Sequence, residues 1–211
     1  MFEFHILTLG RFSRNRFWGE LETQAYRDAL CTTALIKGKQ HILTDPSLPP
    51  GEMAKVLFDR SGLRPGAIGA VFITHHHGDH FVGLELFEKA RWYMGALELA
   101  AMKESQDART RELAGNIIPL EQGVLEGIEP FPLPGHTSGS MGLLFESPDG
   151  RVIVSGDAVM SRDFFRHEAA YFNAVDPEQS RRSIRKIAES ADIVVPGHDN
   201  YFIVHRENAG N

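Results

Sequence analysis

Apolar and polar residues alternate along several short stretches of this chain and recur at helical spacing along others. Alternation over residues 4–9, 32–36 and the run "HILTDP" predicts three strands, with "KGK" as the turn between the second and third, so the chain is expected to open as an antiparallel sheet. Residues 51–60 place Met53, Val56, Leu57 and Arg60 on one side, follow two prolines and stop near Gly62, which predicts a helix. The run "AIGAVFIT" then reads as a buried strand leading straight into "HHHGDH". A strand, helix, strand order delivers those polar residues to the carboxyl end of a strand, where α/β folds keep their sites.

Residues 85–116 read as mostly helical with "RWYM" as an interruption, and 97–113 is the least regular part. Four strand-like runs follow, "NIIPL", "EGIEPFPLPGH", "SMGLLFES" and "GRVIVSGD", with "SPDG" as a hairpin turn between the last two. Asp176 is placed to cap a final helix, with Pro177 at its first position and Gln179 completing a capping box. Ile184, Ile187, Ala188 and Ala191 form its apolar stripe. Four-residue spacing predicts ion pairs between Glu178 and Arg182 and between Arg185 and Glu189, so the basic cluster at 181–186 reads as a solvated face. A last strand, "ADIVVPGHD", also ends at a glycine and a histidine. The 211 residues read as a single domain, 1–211, able to bury a core without staples.

A net charge of −6 argues against a surface devoted to nucleic-acid phosphates, although it leaves room for a local basic groove. The first twenty residues mix charge and polarity and lack the layout of a secretory signal, and no apolar run reaches spanning length. The one cysteine, Cys31, admits no intrachain disulfide and reads as a small buried hydrophobe, so a cytoplasmic, membrane-independent protein is expected.

Candidate chemistry concentrates where strands end. His75, His77, Asp79 and His80 lie within six positions, and His136 in "LPGHT", Asp157 in "VSGDA" and His198 in "VPGHD" repeat the same design. Strands bring their ends to one rim, so ligands far apart in sequence can meet there. His75 and His77 can point to one side of an extended segment, which turns His76 away, while Asp79 and His80 can address a second point. Two metal centres are the natural expectation. A pair about 3.5–4 Å apart clamps both the attacked oxygen and the leaving group. His5, His41, His76, His167 and His205 fall outside this set and are expected to be ordinary surface or core histidines.

The blocks "THHHGDH", "PGHT", "SGDA" and "PGHD", in that order and across nearly the whole chain, resemble the metallo-β-lactamase superfamily. The resemblance implies an α+β, four-layer αββα sandwich with two mixed sheets and a site at one edge between them. It implies that His75, His77 and His136 bind a first metal, that Asp79, His80 and His198 bind a second, and that Asp157 bridges them. The implied cofactors are two divalent ions; zinc suits the mixed nitrogen and oxygen ligands, with manganese and iron as alternatives. A bridging hydroxide would then attack a small ester, lactone or thioester-like substrate, with Asp79 orienting it or accepting its proton. Ser138 and Ser140 lack the spacing of a nucleophile elbow.

Departures from known branches narrow the substrate. Aspartate at 157 disfavours β-lactamase action. Thirteen residues after His198 leave no room for the helical glutathione-binding domain of glyoxalase II-type enzymes, and Met160 stands where homoserine lactonases carry tyrosine, with Tyr171 or Tyr201 as substitutes. The closing segment and "ILTDPSLP" look more like the small stand-alone hydrolases grouped with metallo-β-lactamase domain-containing protein 1. Two alternatives remain open: a mononuclear iron, persulfide dioxygenase-like oxidoreductase, and a phosphodiesterase or ribonuclease, the latter requiring Arg181, Arg182 and Arg185 near the metals. Phe12, Phe17, Trp18, Phe164, Phe165 and Tyr201 are candidate pocket walls, and a small molecule is the expected partner.

Overall fold

Side-chain alternation along the strands decides which residues fall between layers, and the computed structural model, which describes residues 1–205, shows the result. The first sheet runs in the order β1 (Glu3–Thr8), β2 (Thr33–Lys37), β3 (His41–Thr44), β4 (Ile68–Ile73), β5 (Arg91–Met94), β6 (Ile117–Pro119). Its first two pairings are antiparallel, as the opening pattern predicts, and the remaining three are parallel. The second sheet runs β11 (Phe202–Ile203), β10 (Ile193–Pro196), β9 (Gly150–Gly156), β8 (Met141–Ser147), β7 (Ile128–Pro132). Only β9 and β10 pair in parallel there.

Ala34, Ile36, Ile42, Ala70, Phe72 and Tyr93 of the first sheet pack face to face with Leu143, Phe145, Val152, Val154, Ile193 and Val195 of the second. Each intervening residue points outward. Leu35, Leu43, Val71, Ile73 and Met94 meet Met53 and Leu57 of α1 (Pro50–Ser61), Leu99 and Met102 of α2 (Ala96–Lys103), and Leu113 of α3 (Ala108–Ala114). On the far side, Leu144, Ile153 and Val194 meet Ile184 and Ile187 of α5 (Pro177–Ser190). These layers form the αββα sandwich that the resemblance implies. Burying one such Val, Leu, Ile or Phe side chain contributes about 1.5–3 kcal/mol, so the two-residue period is what holds the sheets together.

"RWYM" is β5, in register between β4 and β6, while the predicted helix from residue 85 is reduced to a 3-10 turn at Leu84–Phe87. On α5, Asp176 caps Gln179 N–H at 2.9 Å as expected, but the ion pairs differ. Glu178 pairs with Arg181 at 3.0 Å, and Arg185 reaches Glu168, just past α4 (Arg162–Arg166), at 2.7 Å. Tertiary reach outcompetes the four-residue spacing. Among the described residues no helix is long and apolar enough to cross a membrane.

One edge of the sandwich gathers the segments that follow β4, β7, β9 and β10. Two backbone hydrogen bonds tie the sheets there: Met141 N–H donates to Thr74 O at 3.1 Å, and Thr32 N–H to Gly197 O at 2.6 Å.

Candidate metal centre

All seven strand-end residues singled out by the sequence meet at that edge. His75 Nε2 and His136 Nε2 each lie 3.0 Å from His77 Nδ1. Asp157 Oδ2 faces this trio, 3.3 Å from His136 Nε2 and 3.8 Å from His75 Nε2. Its other oxygen, Oδ1, lies 3.3 Å from both His80 Nε2 and His198 Nε2, and Asp79 Oδ2 lies 3.7 Å from the latter. Two nests therefore share one carboxylate. Its position depends on Gly197, where a Cβ would fall 2.0 Å from Asp157 Oδ1, so the "PGH" glycine answers a steric demand.

The donor set fits metal ions better than it fits protons. His77 Nδ1 faces two imidazole nitrogens at 3.0 Å, and one N–H can point at only one of them, whereas a cation accepts all three lone pairs. His80 Nε2 and Asp157 Oδ1 are buried without a hydrogen-bond partner despite lying 3.3 Å apart, as groups aimed at a common third point would be. Leaving such a group unsatisfied costs about 1–3 kcal/mol, so the arrangement implies a ligand. Burial holds His75 well below the usual histidine pKa, lowers His77 and brings His136 to about 4, which keeps all three neutral. For His80 and His198 burial also pulls downward, but nearby carboxylates outweigh it: Asp157 and Asp45 around His80, and Asp157 beside His198. Burial would raise Asp157, and the facing histidines instead hold it well below the carboxylate range.

Outer partners fix the ring orientations, a role that commonly tunes metal affinity. His198 Nδ1 lies 3.0 and 2.9 Å from the Arg11 and Leu30 carbonyls. His80 Nδ1 lies 3.1 Å from Asp45 Oδ2, and the same carboxylate accepts the Thr74 amide and hydroxyl, each at 2.8 Å. Asp45 lies outside the set that the sequence pattern singles out; its one local signal is an acid directly after the apolar run of β3 and before Pro46. Cys31 is fully buried beside Asp45 and His80, and burial pushes its thiol up to about 12. His76 turns away from the nests, as its spacing predicts. Its Nδ1 meets Glu98 Oε2 at 2.5 Å.

A cavity of about 200 Å³ opens onto the cluster, walled by Phe12, Met160, Tyr171 and Phe172, with His77, Asp79, Asp157 and His198 at its floor. The other expected wall residues lie elsewhere. Phe164 is wholly buried among Phe12, Phe17 and Tyr171, Phe17 stacks on His167 at 4.6 Å, Trp18 is exposed against Phe12, and Tyr201 packs edge-on to Phe4. Phe165 belongs to a separate groove beside α5 that also includes Arg185. Tyr171 does reach the cavity, but its hydroxyl donates to Arg14 O at 2.9 Å. Ser140 Oγ accepts the Thr137 amide at 3.2 Å, the loop-stabilising role expected of a non-nucleophilic serine.

The family profile of the metallo-β-lactamase superfamily matches residues 27–198, and the chain belongs to that superfamily, whose members are mostly divalent-metal-dependent hydrolases. It is 29% identical over 180 residues to metallo-β-lactamase domain-containing protein 1 of Xenopus laevis, a stand-alone member, covering 82% of this chain and 72% of the relative. An N-acyl homoserine lactonase of a Bacillus species is 28% identical over 152 residues, covering 68% of this chain and 60% of that protein. Among solved structures, the dizinc quorum-quenching lactonase AidC, in complex with its homoserine product, superposes with a TM-score of 0.70 at 16% identity, covering 86% of this chain and 77% of that one.

Proposed function

We propose that residues 1–211 act as a single catalytic domain, a binuclear metal-dependent hydrolase of small ester, lactone or thioester-like substrates. His75, His77 and His136 would hold one divalent cation, and Asp79, His80 and His198 a second, with Asp157 shared; zinc suits this set best. When bound, such a pair supplies Lewis acidity and lowers the pKa of water toward neutrality. The observation that carries the reading is the division of Asp157, one oxygen to each nest.

The chain's own residues supply the rest. Asp79 is the least buried of the acidic ligand candidates, its side chain 29% exposed at the cavity floor, so it can orient a water or accept its proton. Phe12, Met160, Tyr171 and Phe172 offer an apolar wall for an acyl group. The size of the cavity favours a compact substrate. Among the described residues no lysine or arginine lines it, and Arg181, Arg182 and Arg185 lie elsewhere, so a phosphodiester would find no side-chain cation there. Similarity to the lactonase supports ester-like chemistry.

The test is a panel of esters, lactones, thioesters and phosphodiesters offered to zinc-loaded protein and to Asp157→Ala. Hydrolysis of an ester-like member that vanishes in the variant supports the reading. Turnover of phosphodiesters alone, or ester hydrolysis unchanged in the variant, would replace it.

A further inference from the structure

We infer that Glu98 is a positioning residue for the first cation nest, clamping the turn that carries His75 and His77 to the loop that carries His136. The inference rests on the metal reading above and concerns residues outside the seven. Glu98 stands in the first turn of α2, and its side chain is 2% exposed. A carboxylate so buried survives only if its oxygens are well supplied with donors. Here they are. Oε2 accepts the His76 backbone N–H at 3.0 Å and meets His76 Nδ1 at 2.5 Å, while Oε1 accepts the Gly139 backbone N–H at 2.8 Å.

These contacts fall on either side of the nest. His76 is flanked in the chain by His75 and His77, and Gly139 lies three residues beyond His136. One carboxylate thus spans two segments that are about sixty residues apart in sequence and whose imidazole nitrogens approach to 3.0 Å. Burial pushes Glu98 upward, yet hydrogen bonds from His76 and Thr137 hold its pKa below the ordinary glutamate value, so it stays charged. Gly139 makes the approach possible: a Cβ there would lie 2.6 Å from Leu97 Cβ and 2.9 Å from Glu98 Oε1. Nothing comparable joins Glu98 to the Asp79, His80 and His198 nest, so its influence should be confined to one cation of the two.

Cobalt(II) titration of metal-free protein reads this out without turnover, through affinity against a competing chelator and through the visible absorption of each bound equivalent. Glu98→Ala should weaken one equivalent about 10–100-fold and alter its spectrum, leaving the other unchanged. Glu98→Gln, which keeps an acceptor for Gly139, should recover part of the loss. Should Glu98→Ala fail to fold, Gly139→Ala, which pushes on the clamp from the opposite side, should weaken the same equivalent. Wild-type cobalt affinity and spectrum in Glu98→Ala would overturn the inference, as would a lowered melting temperature of the metal-free protein with both equivalents intact. His136→Ala separates the two claims. If it too binds two equivalents normally, the metal reading itself fails.

Discussion

Asp45 Oδ2 lies 3.1 Å from His80 Nδ1, so a carboxylate that touches no substrate fixes the ring whose Nε2 faces Asp157. Asp45 also holds the Thr74 amide and hydroxyl, which anchors the start of the histidine turn. Asp45→Asn keeps the volume and removes the charge. The variant is expected to lose about 10–100-fold in affinity for one cation, measured by calorimetric zinc titration, with little change in the other.

Metal removal should destabilise the fold, because a cation that binds only the native state adds about 2.7 kcal/mol at a hundred times its dissociation constant. For a chain of this length about 1 kcal/mol corresponds to roughly 2–4 °C, so a chelator should lower the melting temperature by about 5–10 °C per saturated site. In Asp157→Ala the same chelator should produce a much smaller shift by calorimetry.

The Cys31 thiol is fully buried, and burial raises its pKa to about 12. Thiolate is the reactive form, and at pH 8 roughly one molecule in ten thousand would carry it. Iodoacetamide should therefore leave Cys31 unmodified in native protein at that pH and modify it fully in denaturant, as read by intact mass.

The cavity walls predict a division between binding and chemistry. Phe172 lines the cavity yet is 42% exposed, so Phe172→Ala should cost little stability. Steady-state kinetics on an acyl substrate should show KM raised several-fold with metal content unchanged. Charge reversal at Arg182, which is exposed on α5, should leave the same parameters at wild-type values.

The sequence announced the strands and the convergence more fully than it announced the surroundings. The near-continuous apolar runs of β4 and β9, buried on both faces, and the recurrence of a histidine or aspartate after a strand-ending glycine are local signals, and each survives folding. Long-range partners leave a weaker trace. Asp45 and Glu98 act through His80 and His76, neither a neighbour in sequence; an acid at the end of β3 points to the site rim for Asp45, while nothing in the spacing marks Glu98. The pocket walls were legible only in part for a related reason: Phe12 lines the cavity, while Phe17, Trp18 and Phe164 belong to the expected segments but are turned elsewhere by packing against Phe12, one another and His167. The ion pairs of α5 show the same competition, with Glu168 drawing Arg185 away from Glu189.

Counting metal ions against protein tests the central claim most directly. Zinc titration of metal-free wild-type protein, followed by elemental analysis after desalting, should give two equivalents per chain, with Asp157→Ala retaining fewer. One equivalent or none in the wild type, or two that persist without Asp157, would contradict the shared-carboxylate centre.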